Sequence, residues 1–349
     1  MLLTRRDLLK ATAVATGRRS SGQQRPMIVN SISTLESPTY SWWAEGGASF
    51  AKSRTQDLEY RILEHEGDFK KCLLQIKEMK RSTDVFCVVN LDLFQGFSAR
   101  PLVDLCEQLQ IYIVTQSGRH GLSDVDPWHR TKYYVAHLIH DQRQIGVATA
   151  EALMTAVGSR GRVVGLGGPL GDEAAEARRD GLDAVLNAHK QVELADFRPA
   201  EWEASSAYEV TRYWLSHFSD HIDGIWAAND RMALGAIEAL RYRRLLGTVA
   251  VTGIDGFPPA LESIRVGEMT ATVPRDAYYA GGIGLSFGWQ AFSKSIDVMS
   301  LPHNKREFNL RPSLVNKANV DRFLAYRQGA DSDVDWDDLW VRSSDRALP

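Results

Sequence analysis

The sequence predicts an α/β protein of two lobes, each a parallel sheet with helices on both faces. Short apolar runs alternate with amphipathic helical patterns through most of the chain. At 349 residues the chain can bury two sizeable cores. One stretch, Gly224-Ile225-Trp226-Ala227-Ala228-Asn229-Asp230, changes period in the middle. It begins as the unbroken apolar run of a buried parallel strand and passes into a helical pattern through Met232, Leu234, Ala236, Ile237, Ala239 and Leu240.

In that stretch Asp230 reads as the helix N-cap, because a carboxylate there accepts from the orphan N–H groups of the first turn. Asn229 then falls at the carboxyl end of the strand, the edge at which open α/β sheets bind ligands. An amide offers a donor and an acceptor together, which suits a hydroxyl-rich ligand. The next strand, Val249 to Ile254, ends in Asp255-Gly256, and Ala271-Thr272-Val273-Pro274-Arg275 follows. This succession, with Asn229-Asp230-Arg231-Met232-Ala233-Leu234-Gly235 before it, resembles the sugar-binding proteins of bacterial ABC importers, of the ribose- and galactose-binding type. The resemblance covers roughly Met27 to Tyr326. It implies the type I periplasmic binding protein fold, with two Rossmann-like lobes joined by a three-strand hinge and a ligand cleft between them. Lobe 1 is expected over 27–140 plus 276–309, and lobe 2 over 141–275 plus 310–329.

The remaining elements follow in order. Residues 1–26 read as an export signal and connector: Thr4-Arg5-Arg6-Asp7-Leu8-Leu9-Lys10 resembles a twin-arginine signal, with Leu8 where Phe is usual and a short apolar segment from Ala11 to Gly17. Met27 to Ile32 is the first strand. The loop after it carries Ser37-Pro38, with Tyr40, Trp42 and Trp43, before a helix expected from Ala44 to Thr55. Aromatic rings there can cover the C–H face of a sugar, although Trp42 and Trp43 cannot point the same way from one helix start. Strands are read at Leu58 to Leu63, Asp84 to Asn90, Ile111 to Thr115 and Val135 to His140, with helices at Asp68 to Lys80 and Arg100 to Gln110. The fourth strand ends in Gln116-Ser117-Gly118, where the resemblance implies a carboxylate or an amide. That departure points away from a simple pentose or hexose, and the loop through Asp126-Pro127-Trp128-His129 is a candidate to fill the gap.

Asp141 reads as the cap of a helix from Arg143 to Val157, the expected entry to the second lobe. Gly161 to Leu166 is its first strand. The glycines of Gly165-Leu166-Gly167-Gly168-Pro169-Leu170-Gly171 look like a dinucleotide loop, but Leu170 stands where the third glycine should be and Pro169 lacks a donor. Glu173 to Ala188 is a helix whose Arg178, by the resemblance, aligns with a ligand arginine and presents a fixed fork of donors. Trp202 matches a second-lobe aromatic. A helix from Ser205 to Phe218 leads back to the central stretch, and a Gly- and Ala-rich helix from Tyr278 to Ser293 follows the second crossing at Arg275. Glu307 to Leu310 is the expected third crossing. Residues 330–349, with five aspartates between Asp331 and Asp338, read as a solvated acidic tail.

Composition excludes several classes. The formal net charge of −3 gives no basic field, so nucleic acid is not an expected partner. Three cysteines do not make a disulfide framework. Cys87 lies in an apolar run, while a Cys72–Cys106 bond stays open for an oxidising compartment. No Gly-x-Ser-x-Gly or His-Glu-x-x-His pattern occurs, and His217 and His221 bracket a loop. No enzyme, cofactor or metal is therefore expected. The expected site, lining the cleft, is Tyr40, Trp42, Trp43, Ser117, Arg178, Trp202, Asn229, Asp255 and Arg275. The resemblance implies a monomeric, periplasmic solute-binding protein that hands a sugar or polyol to an ABC permease. The alternative is a signal receptor of the same fold that presents its ligand to a membrane sensor kinase.

Overall fold

The strand Met27–Ile32 is buried at every position because it is an inner strand of its sheet and helices cover both faces. The computed structural model describes residues 25–54, 58–82, 85–93, 98–117, 131–219, 221–327 and 334–343. The chain opens with β1 (Met27–Ile32), α1 (Pro38–Ser53), β2 (Glu59–Glu64), α2 (Phe69–Ser82), β3 (Phe86–Leu93), α3 (Ala99–Leu109), β4 (Tyr112–Ser117) and β5 (Tyr134–His140). It continues with α4 (Gln142–Ala156), β6 (Gly161–Gly167), α5 (Glu173–Ala188), β7 (Val192–Pro199), α6 (Ala204–His217), β8 (Gly224–Ala227), α7 (Asp230–Tyr242), β9 (Ala250–Asp255), α8 (Pro258–Val266) and β10 (Ala271–Pro274). The last elements are α9 (Ala277–Phe292), a 3₁₀ turn (Val298–Ser300), α10 (His303–Arg306), β11 (Glu307–Leu310), β12 (Val315–Asn316) and α11 (Val320–Arg327).

These elements form two units. Unit 1 comprises Met1–His140, Asp276–Arg311 and Asp333–Pro349; unit 2 comprises Asp141–Arg275 and Pro312–Ser332. In unit 1 the sheet order is β11-β5-β4-β3-β1-β2, every pair parallel. In unit 2 the order is β12-β10-β9-β8-β6-β7, parallel except for the antiparallel pair of β10 with the two-residue β12. Both are doubly wound sheets in which the strand order reverses, between β1 and β3 in one and between β6 and β8 in the other. The crevice outside the carboxyl ends of the strands at such a reversal is where this architecture takes ligands.

Alternation along the strands sorts side chains between two cores in unit 1. Ile28, Val88 and Val114 pack with Ile283 and Phe287 of α9; Val29, Val89 and Ile113 pack with Ile76 of α2 and Leu102 of α3. The second core also holds Cys72 and Cys106. All three cysteines are buried free thiols, so the bond left open by the sequence does not form. A buried amide row ties the strands to α9. Asn90 Nδ2 donates to Asn30 Oδ1 at 2.8 Å, and Gln116 Nε2 donates to Asn90 Oδ1 at 2.8 Å and to the Ala280 carbonyl at 2.6 Å.

The structure departs from the sequence expectations at several elements. Helix α1 starts at Pro38 rather than Ala44, with Ser37 at the cap position, so Tyr40, Trp42 and Trp43 are helical residues. Edge strand β7 and helices α8 and α11 are additional to the expected elements. β7 exposes most of its residues partly, so it shows no continuous apolar run. Glu307–Leu310 pairs with β5 within unit 1, and the chain leaves that unit only after Arg311.

The C-terminal residues are a correction of physical substance. The density of aspartates predicts a solvated tail over 330–349, but the segment from Asp333 belongs to unit 1. Trp336 is 4% exposed and lies on α9, stacked 6.2 Å from the Tyr279 ring, tilted 6.0 Å from the Tyr278 ring and edge-on to Phe50. Leu339 is buried in the same core, the Ser286 hydroxyl donates to the Trp336 carbonyl at 2.6 Å, and Arg342 pairs with Asp276. Apolar burial of the rings decides the placement, while Asp335 and Asp337 stay exposed.

Candidate functional site

In unit 2 five of the sequence candidates gather at the carboxyl edge of the sheet. Asn229 lies two residues after β8 and, rather than Asp230, is the N-cap of α7: its Oδ1 accepts from Met232 N–H at 2.8 Å. Its Nδ2 reaches the Trp202 carbonyl at 3.4 Å. Asp230 is the first helical residue and is fully buried. It accepts from the Thr272 hydroxyl at 2.7 Å and from Phe257 N–H at 2.8 Å. These bonds clamp the turn after β9. That turn needs clamping, because Asp255 has φ +119° and Gly256 φ +70°, and the first is a conformation that a side chain resists.

Asp255 faces Arg178, whose Nη2 lies 3.9 Å from Oδ1. Arg178 is buried on α5, where Nε donates to Gln142 Oε1 at 2.8 Å and Nη1 donates to the Ala228 carbonyl. Its guanidinium lies 5.4 Å from the Trp202 ring centroid. Burial lowers the Arg178 pKa and raises that of Asp255; the charges of Arg178, Arg275 and Arg231 partly offset the rise. Asp230 is pushed up to about 7, by burial first and by the Asp255 charge second. The Arg275 backbone N–H donates to the Asp255 carbonyl at 3.3 Å.

The glycines that mimic a dinucleotide loop have a steric explanation. A β-carbon at Gly165 or Gly167 would stand 2.3 or 2.7 Å from the Phe197 ring, and one at Gly168 would stand 2.3 Å from the Trp202 indole. They admit two aromatic faces at the end of β6. Trp202 itself has φ +62°, after Glu201 at +55°, so a strained turn holds that ring.

In unit 1 Tyr40 and Ser117 meet through a residue that is not among the sequence candidates. Asp92 near the end of β3 accepts from the Tyr40 phenol and from the Ser117 hydroxyl. Ser117 has φ +85° at the end of β4. A carboxylate from the neighbouring strand thus stands beside Ser117. The signal available in the sequence is Asn90-Leu91-Asp92 at a strand end, but the pairing of Leu93 with Ser117 that sets the register is between distant parts of the chain. Trp42 and Trp43 are both buried, Trp42 6.3 Å from the Tyr278 ring and Trp43 6.4 Å from Tyr40, which is itself half-buried. Trp43 therefore packs beside Tyr40, and Trp42 packs against Tyr278 at the start of α9. Gly118, the loop with Trp128 and the Arg5-Arg6 pair lie outside the described residues. Among the described residues no group of His, Cys, Asp and Glu side chains is placed to hold a metal ion, and no helix is long and apolar enough to cross a membrane.

The family model of the periplasmic binding protein domain matches residues 100–294. The D-allose-binding periplasmic protein of Escherichia coli is 25% identical over 261 residues, spanning 73% of this chain and 80% of that protein. The ribose import binding protein of Haemophilus influenzae is 24% identical over 280 residues, spanning 80% of this chain and 89% of its own. The solved structure of a twin-arginine translocation pathway signal protein from Burkholderia phytofirmans superposes with a TM-score of 0.79 at 37% identity, over 94% of this chain and all of that one.

Proposed function

The chain belongs to the periplasmic binding protein family, and from that premise we propose that it is an exported receptor that captures a sugar or sugar-like polyol and delivers it to an ABC importer. The observation that carries this reading is the unit 2 edge. There a fork of guanidinium donors, a carboxylate, an amide and an aromatic face converge within one set of neighbouring strand ends. Hydroxyls need donors and acceptors in alternation, and a sugar's C–H face needs a ring. No nucleophile with a paired general base occurs among these residues, and the matched relatives are named as binding proteins rather than enzymes.

Trp202, Arg178, Asn229, Asp255 and Arg275 are the proposed ligand contacts of unit 2, and Tyr40 and Ser117 those of unit 1, with Trp43 beside Tyr40 and Trp42 against Tyr278. The protein is proposed to act as a monomer outside the cytoplasm. A thermal-shift screen of pentoses, hexoses, polyols and cyclitols tests the reading, because a ligand that binds only the native state raises the melting temperature with its concentration. A set of sugars that leaves the melting temperature unchanged at millimolar concentration defeats it. For export, Arg5→Lys with Arg6→Lys is expected to hold the protein in the cytoplasmic fraction; unchanged delivery would overturn that route.

A further inference from the structure

The turn that carries Asp255 is held at both ends of each of its peptide planes. The first plane joins Asp255 to Gly256. Its carbonyl accepts from Arg275 N–H and its N–H donates to Thr272 Oγ1, both at 3.3 Å. The second plane joins Gly256 to Phe257. Its N–H donates to Asp230 Oδ2 at 2.8 Å, and its carbonyl accepts from Arg327 Nη1 at 2.6 Å. The second pair of bonds is the shorter, and the guanidinium makes the last of them charge-assisted.

Arg327 reaches the turn because of the way α11 lies. Val320, Phe323 and Arg327 recur at the helical period, so the face that buries the first two also presents the third. The chain before α11 is tied to the far end of α8, where Lys317 Nζ donates to the carbonyl of Arg265 in the last turn. Arg327 meets Gly256, two residues before α8 begins. The segment from Lys317 to Arg327 thus runs back along α8, and its last residue arrives at the turn after β9.

We propose that Arg327 is a positioning residue for sugar capture: by holding the Gly256 carbonyl it keeps the Asp255 carboxylate directed at Arg178, 3.9 Å away. This rests on the reading of Asp255 as a ligand contact. A φ of +119° at Asp255, followed by +70° at Gly256, persists only where the surroundings over-determine it. Asp230 holds one end of the second plane and Arg327 the other. With one end released, the turn relaxes toward ordinary extended backbone and the carboxylate swings away. A sugar then has to reorder the turn as it binds, which subtracts from its affinity.

Arg327→Met keeps the aliphatic stem and removes the donors. Titration calorimetry uses the pentose, hexose, polyol or cyclitol that raises the melting temperature most. Arg327→Met is expected to weaken its binding about tenfold, equivalent to about 1.4 kcal/mol, and Arg327→Lys, which keeps a donor, by less. In an Asp255→Ala background the Arg327→Met change is expected to cost no further affinity, because the group it orients is gone; a general loosening of unit 2 would add its full effect. Amide hydrogen exchange gives a second measure that needs no sugar. The Phe257 amide is expected to exchange faster in Arg327→Met while the amides of β8 and β9 keep their protection. Parent affinity in Arg327→Met, an equal loss with and without the Asp255 carboxylate, or unchanged exchange at Phe257 overturns the proposal and leaves sugar capture standing. Unchanged binding by Asp255→Ala alone overturns the reading of Asp255 on which the proposal rests, and a screen in which no sugar binds overturns both.

Discussion

Gly146 of α4 lies against the backbone carbonyl of Arg178: a β-carbon at the glycine would stand 2.2 Å from that oxygen. The contact is reciprocal, since a β-carbon at Gly181 of α5 would stand 2.3 Å from the Arg143 carbonyl. Two glycines thus set the distance between α4 and α5, and that distance fixes where the guanidinium of Arg178 meets Asp255.

Gly146→Ala is therefore expected to destabilise the protein. Alanine gains about 1 kcal/mol in helix propensity. The overlap is with a backbone atom that cannot rotate away, so the helices must part, which costs typically about 1–3 kcal/mol. We expect a net loss of roughly 1 kcal/mol in urea denaturation, with weaker ligand binding because Arg178 moves with α5. A stabilised variant would mean that the helices separate without cost.

Trp336→Ala is expected to cost about 3–5 kcal/mol, the range for a fully packed tryptophan. The ring fills the space over Gly282, where a β-carbon would stand 2.3 Å from it, and contacts Phe50, Tyr278 and Tyr279. The same experiment separates the packed segment from a solvated tail, for which the loss would stay within about 0.5 kcal/mol. Asp337→Asn serves as the control: its carboxylate is exposed and pairs with Arg54, so little change is expected.

The contrast between these two sites shows what is legible in a sequence. Strand and helix periods, and the junctions at Asn229 and Asp255, are local, and local pattern finds them. The close approach of Gly146 to Arg178 is not local, and neither is the register that lays Asp92 beside Ser117. Aspartate and asparagine are nearly equal as caps, so sequence alone does not separate Asp230 from Asn229. What decides between them is a partner, the Thr272 hydroxyl, that lies 42 residues away. Trp336 is masked by its aspartate neighbours, since charge along a stretch says nothing of one ring that folds back.

Once a ligand is identified, Asp255→Ala and Trp202→Ala are each expected to weaken binding by calorimetry. Removal of a charged hydrogen-bond partner costs about 1.5–3 kcal/mol. Loss of the indole forfeits its apolar burial, on the order of 2 kcal/mol for a large side chain. Asp255→Ala also leaves Arg178 buried without its nearest carboxylate, so this variant should lose stability where Trp202→Ala loses little. Both variants binding within about twofold of the parent, well under the tenfold that 1.4 kcal/mol represents, would place the ligand elsewhere than this edge.

Asp230 gives a prediction about pH. Its pKa is raised from 3.8 to about 7 in the folded protein, first by burial and then by the charge of Asp255. The folded state therefore holds this proton more tightly than the unfolded state does. Its contribution to stability is fully present below about pH 4 and fades as the pH rises through about 7. Asp255, also raised, acts in the same direction, with Arg178 and Arg275 opposing the rise. Asp230→Asn retains the neutral form at every pH: its amide oxygen can accept from Phe257 N–H while its NH₂ donates to a rotated Thr272 hydroxyl. Denaturant midpoints measured between about pH 5 and pH 9 should fall more steeply for the parent than for this variant. The difference between the two should change by a few kcal/mol at most, given about 1.4 kcal/mol for each tenfold change in proton affinity. Parallel profiles would show that folding leaves the Asp230 proton equally held across this range, and that the turn carrying Asp255 is clamped by the same bonds whatever the pH.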